Sequence, residues 1–406
     1  MATRRAVVIG AGITGILTAR ELLLQGWDVT VLEAAHLGAG SSSRTAAGIR
    51  QQFSTPGTVH GMQYCVRFYR AFAGEVLGGT SPIVQNGYLF LHDDDTRWAA
   101  AREVAAMQQA AGLHVDVMSA DDLVHRFPWV ADDGLLGGTF CPTDGFLLPH
   151  LVYNDGARRV RELGGTLHSR APVTGVTTDG ERIAEVLTPK GSFGADLFID
   201  ATNAWTRRLA AVLGAEALEV DPLKRYLWFL ARGGPMTAET LGSLPLVISP
   251  GGGYCRPENR DTMLLGKKHD TPAQVDFDYP DQDAVEADYA HDGGVDAFPY
   301  ELWAEMAEAI PDLAEFDGFS ATTGGYYATT PDHNPFLGFD RQRPNLLRLV
   351  GFSGHGAMMG PFTAAVAAAL ADAGHDLDAI PLDGRDIALD AFRIGRAYDH
   401  REAMVI

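Results

Sequence analysis

The 406 residues predict an α/β fold of two interleaved domains, one built around a parallel sheet and the other an α+β unit on an antiparallel sheet. Three observations predict it. A strand, a glycine turn, a helix and a second strand ending in an acid follow one another within the first 33 residues. A strand and a glycine turn recur near residue 350, and the intervening segments mix short strand-like runs with helices and turns such as Pro250-Gly251-Gly252-Gly253.

The apolar run Ala6-Val7-Val8-Ile9 leads into Gly10-Ala11-Gly12-Ile13-Thr14-Gly15; residues 16–25 have helical composition closed by Gly26, and residues 28–33 read as a strand ending at Glu33. In such a unit the first glycine permits the tight turn, the second lets backbone approach a pyrophosphate, and the third lets helix pack on strand. The helix N-terminus then faces the phosphates. Glu33 is placed to accept hydrogen bonds from a ribose, and its charge disfavours a 2′-phosphate, which argues against NADP. The spacing therefore predicts a Rossmann-like dinucleotide site.

Further along, residues 152–163 read as a helix, and 173–176, 183–187 and 196–200 as strands around an Asp179-Gly180 turn. The segment from Ile199 through Asp200, Ala201, Thr202, Asn203 and Ala204 to Trp205 is expected to carry backbone to the nucleotide. Residues 346–350 form a closing strand, Gly351-Phe352-Ser353-Gly354-His355-Gly356 a second turn, and 361–373 an alanine-rich helix opened by Pro361. Residues 1–85, 146–218 and 326–406 are assigned to the nucleotide-binding domain. Residues 86–145 and 219–325 form the inserted domain.

Composition narrows the function. Fifty-two acidic against 32 basic residues give a net charge of -20, the wrong sign for a phosphate backbone, so the expected partner is a small molecule and no nucleic acid. Residues 270–340 hold 17 carboxylates and no Lys or Arg, read as a solvated acidic face, with a docking surface as the alternative. Cys65, Cys141 and Cys255 form no zinc pattern and read as reduced thiols of a cytoplasmic protein. Arg4-Arg5 imitates an export signal, but the apolar run behind it is part of the fold, and no apolar stretch predicts a membrane span. The histidines lack ligand spacing, so no metal is expected; His333 beside Asp332 reads as turn chemistry.

Taken together, Gly10 to Gly15 with Glu33, the loop Gly40-Ser41-Ser42-Ser43-Arg44-Thr45-Ala46-Ala47-Gly48, the Asp200 to Trp205 segment, Thr330-Pro331-Asp332 and the Gly351 to Gly356 turn resemble the D-amino-acid oxidase superfamily of FAD enzymes, in the sarcosine and dimethylglycine oxidoreductase branch. The resemblance implies a GR2-type FAD-binding domain. It implies flavin contacts from Gly10, Gly12, Ile13, Thr14, Gly15, Glu33 and Ala34, and from the loop residues Ser42, Ser43, Arg44, Thr45, Ala47 and Gly48. Val173 would meet the adenine, Ala201, Thr202, Asn203 and Trp205 the nucleotide, and Gly354, His355, Gly356 and Met358 the ring. The family's Ala-Thr-Gly is here Ala201-Thr202-Asn203. The cysteine and histidine that carry covalent flavin in relatives are here Gly325 and Thr45, so FAD is expected to be non-covalent.

The implied chemistry is oxidation of a C–N bond to an imine by hydride transfer to flavin, with a secondary, N-methylated or other amino acid as substrate. The family's substrate-binding arginine on the strand before Thr330-Pro331-Asp332 is here Tyr327. Arg50 is the first candidate for a carboxylate clamp, followed by Tyr327, Arg256, with a salt bridge to Glu258 as its alternative, and Tyr254; His355 is either a flavin contact or a packing residue. The lysines associated with oxygen use correspond to Leu264 and Met358, which leaves the electron acceptor open between O2 and a quinone or other carrier. Two other readings stand beside this one: oxidation of a 2-hydroxy acid, and a flavin-binding assembly protein without turnover.

Overall fold

A computed structural model describes residues 3–75, 79–131, 133–269, 273–274, 277–278, 281–282, 298–399 and 401–402. Much of the acidic stretch, residues 283–297 above all, lies outside the described residues. The strand Arg5–Ile9 is buried over all but its first residue, as a central parallel strand covered on both faces must be. It pairs in parallel with Asp28–Leu32 on one side and Leu197–Asp200 on the other, so that Ile9 stands between Leu32 and Asp200. Thr166–His168 extends one edge, while Leu346–Val350 and the antiparallel Phe336–Phe339 extend the other. The strand order reverses at Arg5–Ile9, and a crevice opens beyond the carboxyl ends of the strands at such a point.

The first helix runs Ile13–Leu24, three residues earlier than expected, because Gly12 itself is the N-cap. The helix Gly356–Ala373 likewise begins before Pro361, which sits inside it rather than opening it. An internal proline leaves the carbonyl four residues back without its amide donor; that carbonyl, Ala357 O, accepts the Tyr69 hydroxyl at 2.6 Å. Among the described residues this is the one helix long and apolar enough to cross a membrane, and it packs against Ile13–Leu24 and Pro56–Phe72 in the core. The meander falls at Gly175–Asp179, Arg182–Thr188 and Gly191–Gly194, which leaves Val173 in the preceding loop.

An eight-stranded sheet carries the rest, in the order Gly318–Thr329, Asp221–Ala231, Thr262–Lys267, Gly253–Asn259, Leu246–Ile248, Tyr88–His92, Gly137–Cys141 and Asp116–Ser119. All neighbours are antiparallel except Leu246–Ile248 with Tyr88–His92, where segments far apart in sequence meet. Two expected boundaries fall inside strands, since Gly318–Thr329 runs through residue 326 and Gly145–Leu147 through residue 146. One face of this sheet gathers Tyr88, Phe90, Leu227, Leu246, Ile248, Tyr254 and Leu264 into an apolar cluster.

Candidate active site

A cleft of about 440 Å³ opens at the carboxyl ends of the parallel strands. Gly10, Gly12, Ile13, Thr14, Glu33 and Ala34 line one end, with Val173 beside them; Ser42, Arg44, Thr45, Ala201, Thr202, Asn203, Trp205, Gly354 and Gly356 continue the wall. Gly10 has φ +107°, a turn conformation that L side chains avoid. Gly15 does not line the cleft: a Cβ there would stand 2.0 Å from Gly10 O, so it serves the close packing of helix on strand. Ser43 also lies outside, its hydroxyl donating to Gly40 O at 3.4 Å. The Ser42 Oγ accepts the Ile13 N–H at 3.1 Å, which straps the serine loop across the helix N-terminus. The buried Glu33 carboxylate accepts the Ala11 N–H at 2.9 Å and the Ala35 N–H at 2.8 Å, so it shapes the glycine loop as well as facing the cleft.

A second cavity of about 40 Å³ adjoins the first and shares Thr45, Tyr327, Gly354 and Ala357 with it. Ala47, Gly48, His355 and Met358, expected along the flavin, line this cavity instead of the main cleft, together with Arg50, Tyr88, Tyr254 and Ser353. Arg50 is 1% exposed. Its guanidinium carbon lies 4.6 Å from the Phe53 ring centre, 5.8 Å from Phe90 and 5.9 Å from Tyr88. Its Nη2 donates to His355 Nε2 at 3.4 Å. Burial first, then the Arg50 charge, holds the His355 imidazole well below its ordinary range, so it is neutral. Burial likewise raises the Tyr254 and Tyr327 phenols, which share a hydrogen bond and stay protonated.

Arg256 is not brought to this cavity. Its Nε donates to Ala46 O at 2.6 Å and its Nη1 to Pro257 O at 2.8 Å, with Glu258 at 2.8 Å and the Phe146 ring 4.7 Å away. It braces the loop before Ala47: two residues beyond Tyr254 it leaves the sheet on the same face, but its guanidinium is engaged by Ala46 O, Pro257 O and Glu258 rather than by the cavity. The second cation near the cavity is Arg225, whose guanidinium carbon lies 5.7 Å from the Tyr327 ring.

The family model described as "FAD dependent oxidoreductase" (DAO) matches residues 5–370. The chain belongs to this family of FAD-dependent oxidoreductases. Among its relatives, FAD-dependent oxidoreductase domain-containing protein 1 of Bos taurus is 27% identical, over 91% of this chain and 81% of its own. Glycine oxidase of Geobacillus kaustophilus (strain HTA426) is 24% identical, over 90% and 92%. The crystal structure of L-proline dehydrogenase from P. horikoshii superposes with a TM-score of 0.81 at 28% identity, covering 92% of this chain and 94% of that one.

In this oxidoreductase the cleft fits FAD: a glycine turn with no room for a Cβ, a helix N-terminus and a buried acid stand in the order a dinucleotide requires. Asn203 accounts for the departure from Ala-Thr-Gly. It has φ +49°, a conformation glycine adopts freely and asparagine tolerates better than other side chains, and its Oδ1 accepts the Gly351 N–H at 3.0 Å and the Phe352 N–H at 3.4 Å. The two cleft-lining turns are thereby tied together. Gly325 leaves no space for a side chain, since a Cβ would stand 2.6 Å from Arg44 O, and the Thr45 hydroxyl accepts the Ala47 N–H at 2.9 Å. Tyr88 and Ser353 were missed from sequence; Ser353, at φ +49° within the second glycine turn, had a local signal, whereas Tyr88 reaches the cavity only by sheet pairing.

Proposed function

We propose that this oxidoreductase acts on a small α-carboxylated amine, first of all a secondary or N-methylated amino acid, and oxidises its C–N bond to an imine. The observation that carries the reading is the burial of Arg50 in the wall of a small cavity continuous with the cofactor cleft. Among the described residues lining that cavity Arg50 is the one charged side chain, given neutral His355. A guanidinium in low-dielectric surroundings favours a carboxylate and offers it two parallel hydrogen bonds. The relatives named for glycine and for L-proline support an amino-acid substrate.

When bound, FAD supplies the two-electron acceptor for the hydride that leaves the carbon next to nitrogen. Arg50 holds the carboxylate, and the protonated Tyr254 and Tyr327 hydroxyls stand where they orient the amine by hydrogen bonding. The buried Arg50 charge and the desolvated surroundings disfavour an ammonium in the cavity, which favours binding of the amine in its unprotonated, oxidisable form, while His355 stays neutral. The amine N–H proton leaves to solvent as the C=N bond forms, and water hydrolyses the imine. Gly356 at the helix N-terminus borders the cleft, so its amide end would stabilise negative charge on a cofactor held there.

The test is anaerobic addition of sarcosine, dimethylglycine, proline, glycine, D- and L-amino acids and 2-hydroxy acids to the FAD-loaded protein. Bleaching of the visible flavin band by a carboxylated amine, with amine or imine product, is expected; bleaching by hydroxy acids alone would replace the reading. For the acceptor, Leu264 lies in an apolar cluster with no lysine at its position, which supports a carrier over oxygen. Dye reduction is expected to outpace oxygen consumption.

A further inference from the structure

Asp144 lines neither cavity, yet it is a fully buried carboxylate beside the segment that carries Arg50. It sits in the turn between the strands Gly137–Cys141 and Gly145–Leu147. Its Oδ1 accepts both the Gln51 backbone N–H and the Gln51 Nε2, each at 2.9 Å, and its Oδ2 accepts Gln52 Nε2 at 3.2 Å. Gln52 Nε2 also donates to Tyr88 O at 3.1 Å, and Gln51 Nε2 to Thr143 Oγ1 at 2.9 Å. One carboxylate thus fixes the residue after Arg50 and, through Gln52, the start of the strand whose Tyr88 walls the small cavity.

We propose that Asp144 is a positioning residue for Arg50: its ionised form holds the Gln51-Gln52 backbone so that the guanidinium faces the small cavity, and its protonation weakens carboxylate binding there. This rests on the reading of Arg50 as the carboxylate clamp. Both oxygens face N–H donors, so a proton on either sets donor against donor and releases one contact. Burial pushes the Asp144 carboxyl up to about 6, opposed by the hydrogen bonds from Gln51 and Gln52. The other groups around it are the Cys141 thiol and the Tyr88 phenol, both driven upward by burial, the Arg50 guanidinium, and His355 beyond it, held well below its ordinary range. Asp144 is therefore the member of this cluster that changes charge in mildly acidic solution.

The probe is methoxyacetate, a carboxylate that stays ionised across the range, titrated into FAD-loaded wild type, Asp144→Asn, Asp144→Glu and Arg50→Met with the flavin spectrum as readout. Wild-type affinity is expected to fall about tenfold between about pH 7 and about pH 5. Asp144→Asn is expected to bind about tenfold more weakly at neutral pH with a flat profile, and Asp144→Glu to keep an acid limb. An Asp144→Asn protein with wild-type affinity and wild-type pH dependence would overturn the proposal, as would a wild type whose affinity is flat with pH. If Arg50→Met binds as wild type does, the clamp reading fails; if it loses binding while Asp144→Asn does not, only the positioning role fails.

Discussion

Arg50 and Asn203 show how much one side chain decides. Arg50→Met removes the cation but keeps an unbranched stem, so carboxylate binding is lost without a large cavity; losing such a contact costs about 3 kcal/mol, a rise in KM of about a hundredfold. Arg50→Lys should recover part of it, because a point charge lacks the planar fork. Steady-state kinetics on whichever amine bleaches the flavin decides this, and an unchanged KM in Arg50→Met would remove the clamp. Asn203→Ala combines a left-handed backbone without asparagine's tolerance and two unsatisfied amides, at Gly351 and Phe352. A loss of about 2 to 3 kcal/mol is expected, together with weaker FAD retention, read by thermal unfolding and flavin release.

At the scale of elements, the informative case is the helix Gly356–Ala373. A proline near a glycine-rich turn reads as the first helical residue, yet here it stands inside, because Tyr69 from Pro56–Phe72 supplies the missing donor to Ala357 O. Tyr69→Phe should therefore leave a buried carbonyl unmet and cost about 1 to 3 kcal/mol. Since Ala357 lines both cavities, FAD affinity should fall too, which equilibrium dialysis would detect; a variant with wild-type unfolding and affinity would show that water replaces the hydroxyl. The N-terminal unit was legible because its strand, turn and helix are set by local periodicity and glycine placement. Its helix start slipped by three residues because Gly12, not a later side chain, caps it. Arg256 takes its alternative, the salt bridge to Glu258, for a different reason: alternation puts it on Tyr254's face, but which groups its guanidinium meets there, Glu258 and the Ala46 carbonyl, depends on how a distant loop packs on the sheet.

For the molecule as a whole, the parallel sheet is clamped where it meets the cofactor. Arg348 bonds Asp200 at 2.9 Å and Asp340 at 2.8 Å, all three buried, while Asp200 also accepts the Thr202 N–H at 2.9 Å and so shapes the cleft-lining turn. FAD binding to such a site stabilises only the folded chain, by about 2.7 kcal/mol at a hundred times Kd. Added FAD is expected to raise Tm in a concentration-dependent way. Acid-precipitated and washed protein should be colourless, because Gly325 and Thr45 offer no covalent attachment; yellow washed protein would contradict this.

The sequence by itself determined the dinucleotide-binding unit and the second glycine turn, while the flavin was implied by the family resemblance that their combination carries. Each of these is a short segment whose conformation follows from its own glycines and apolar period. Only the tertiary structure decided the small cavity. Arg50 and His355 are 305 residues apart, and Tyr88 joins them through parallel pairing with Leu246–Ile248, so their convergence depends on sheet register and on packing between distant strands. Those are non-local quantities, which no period along the chain records.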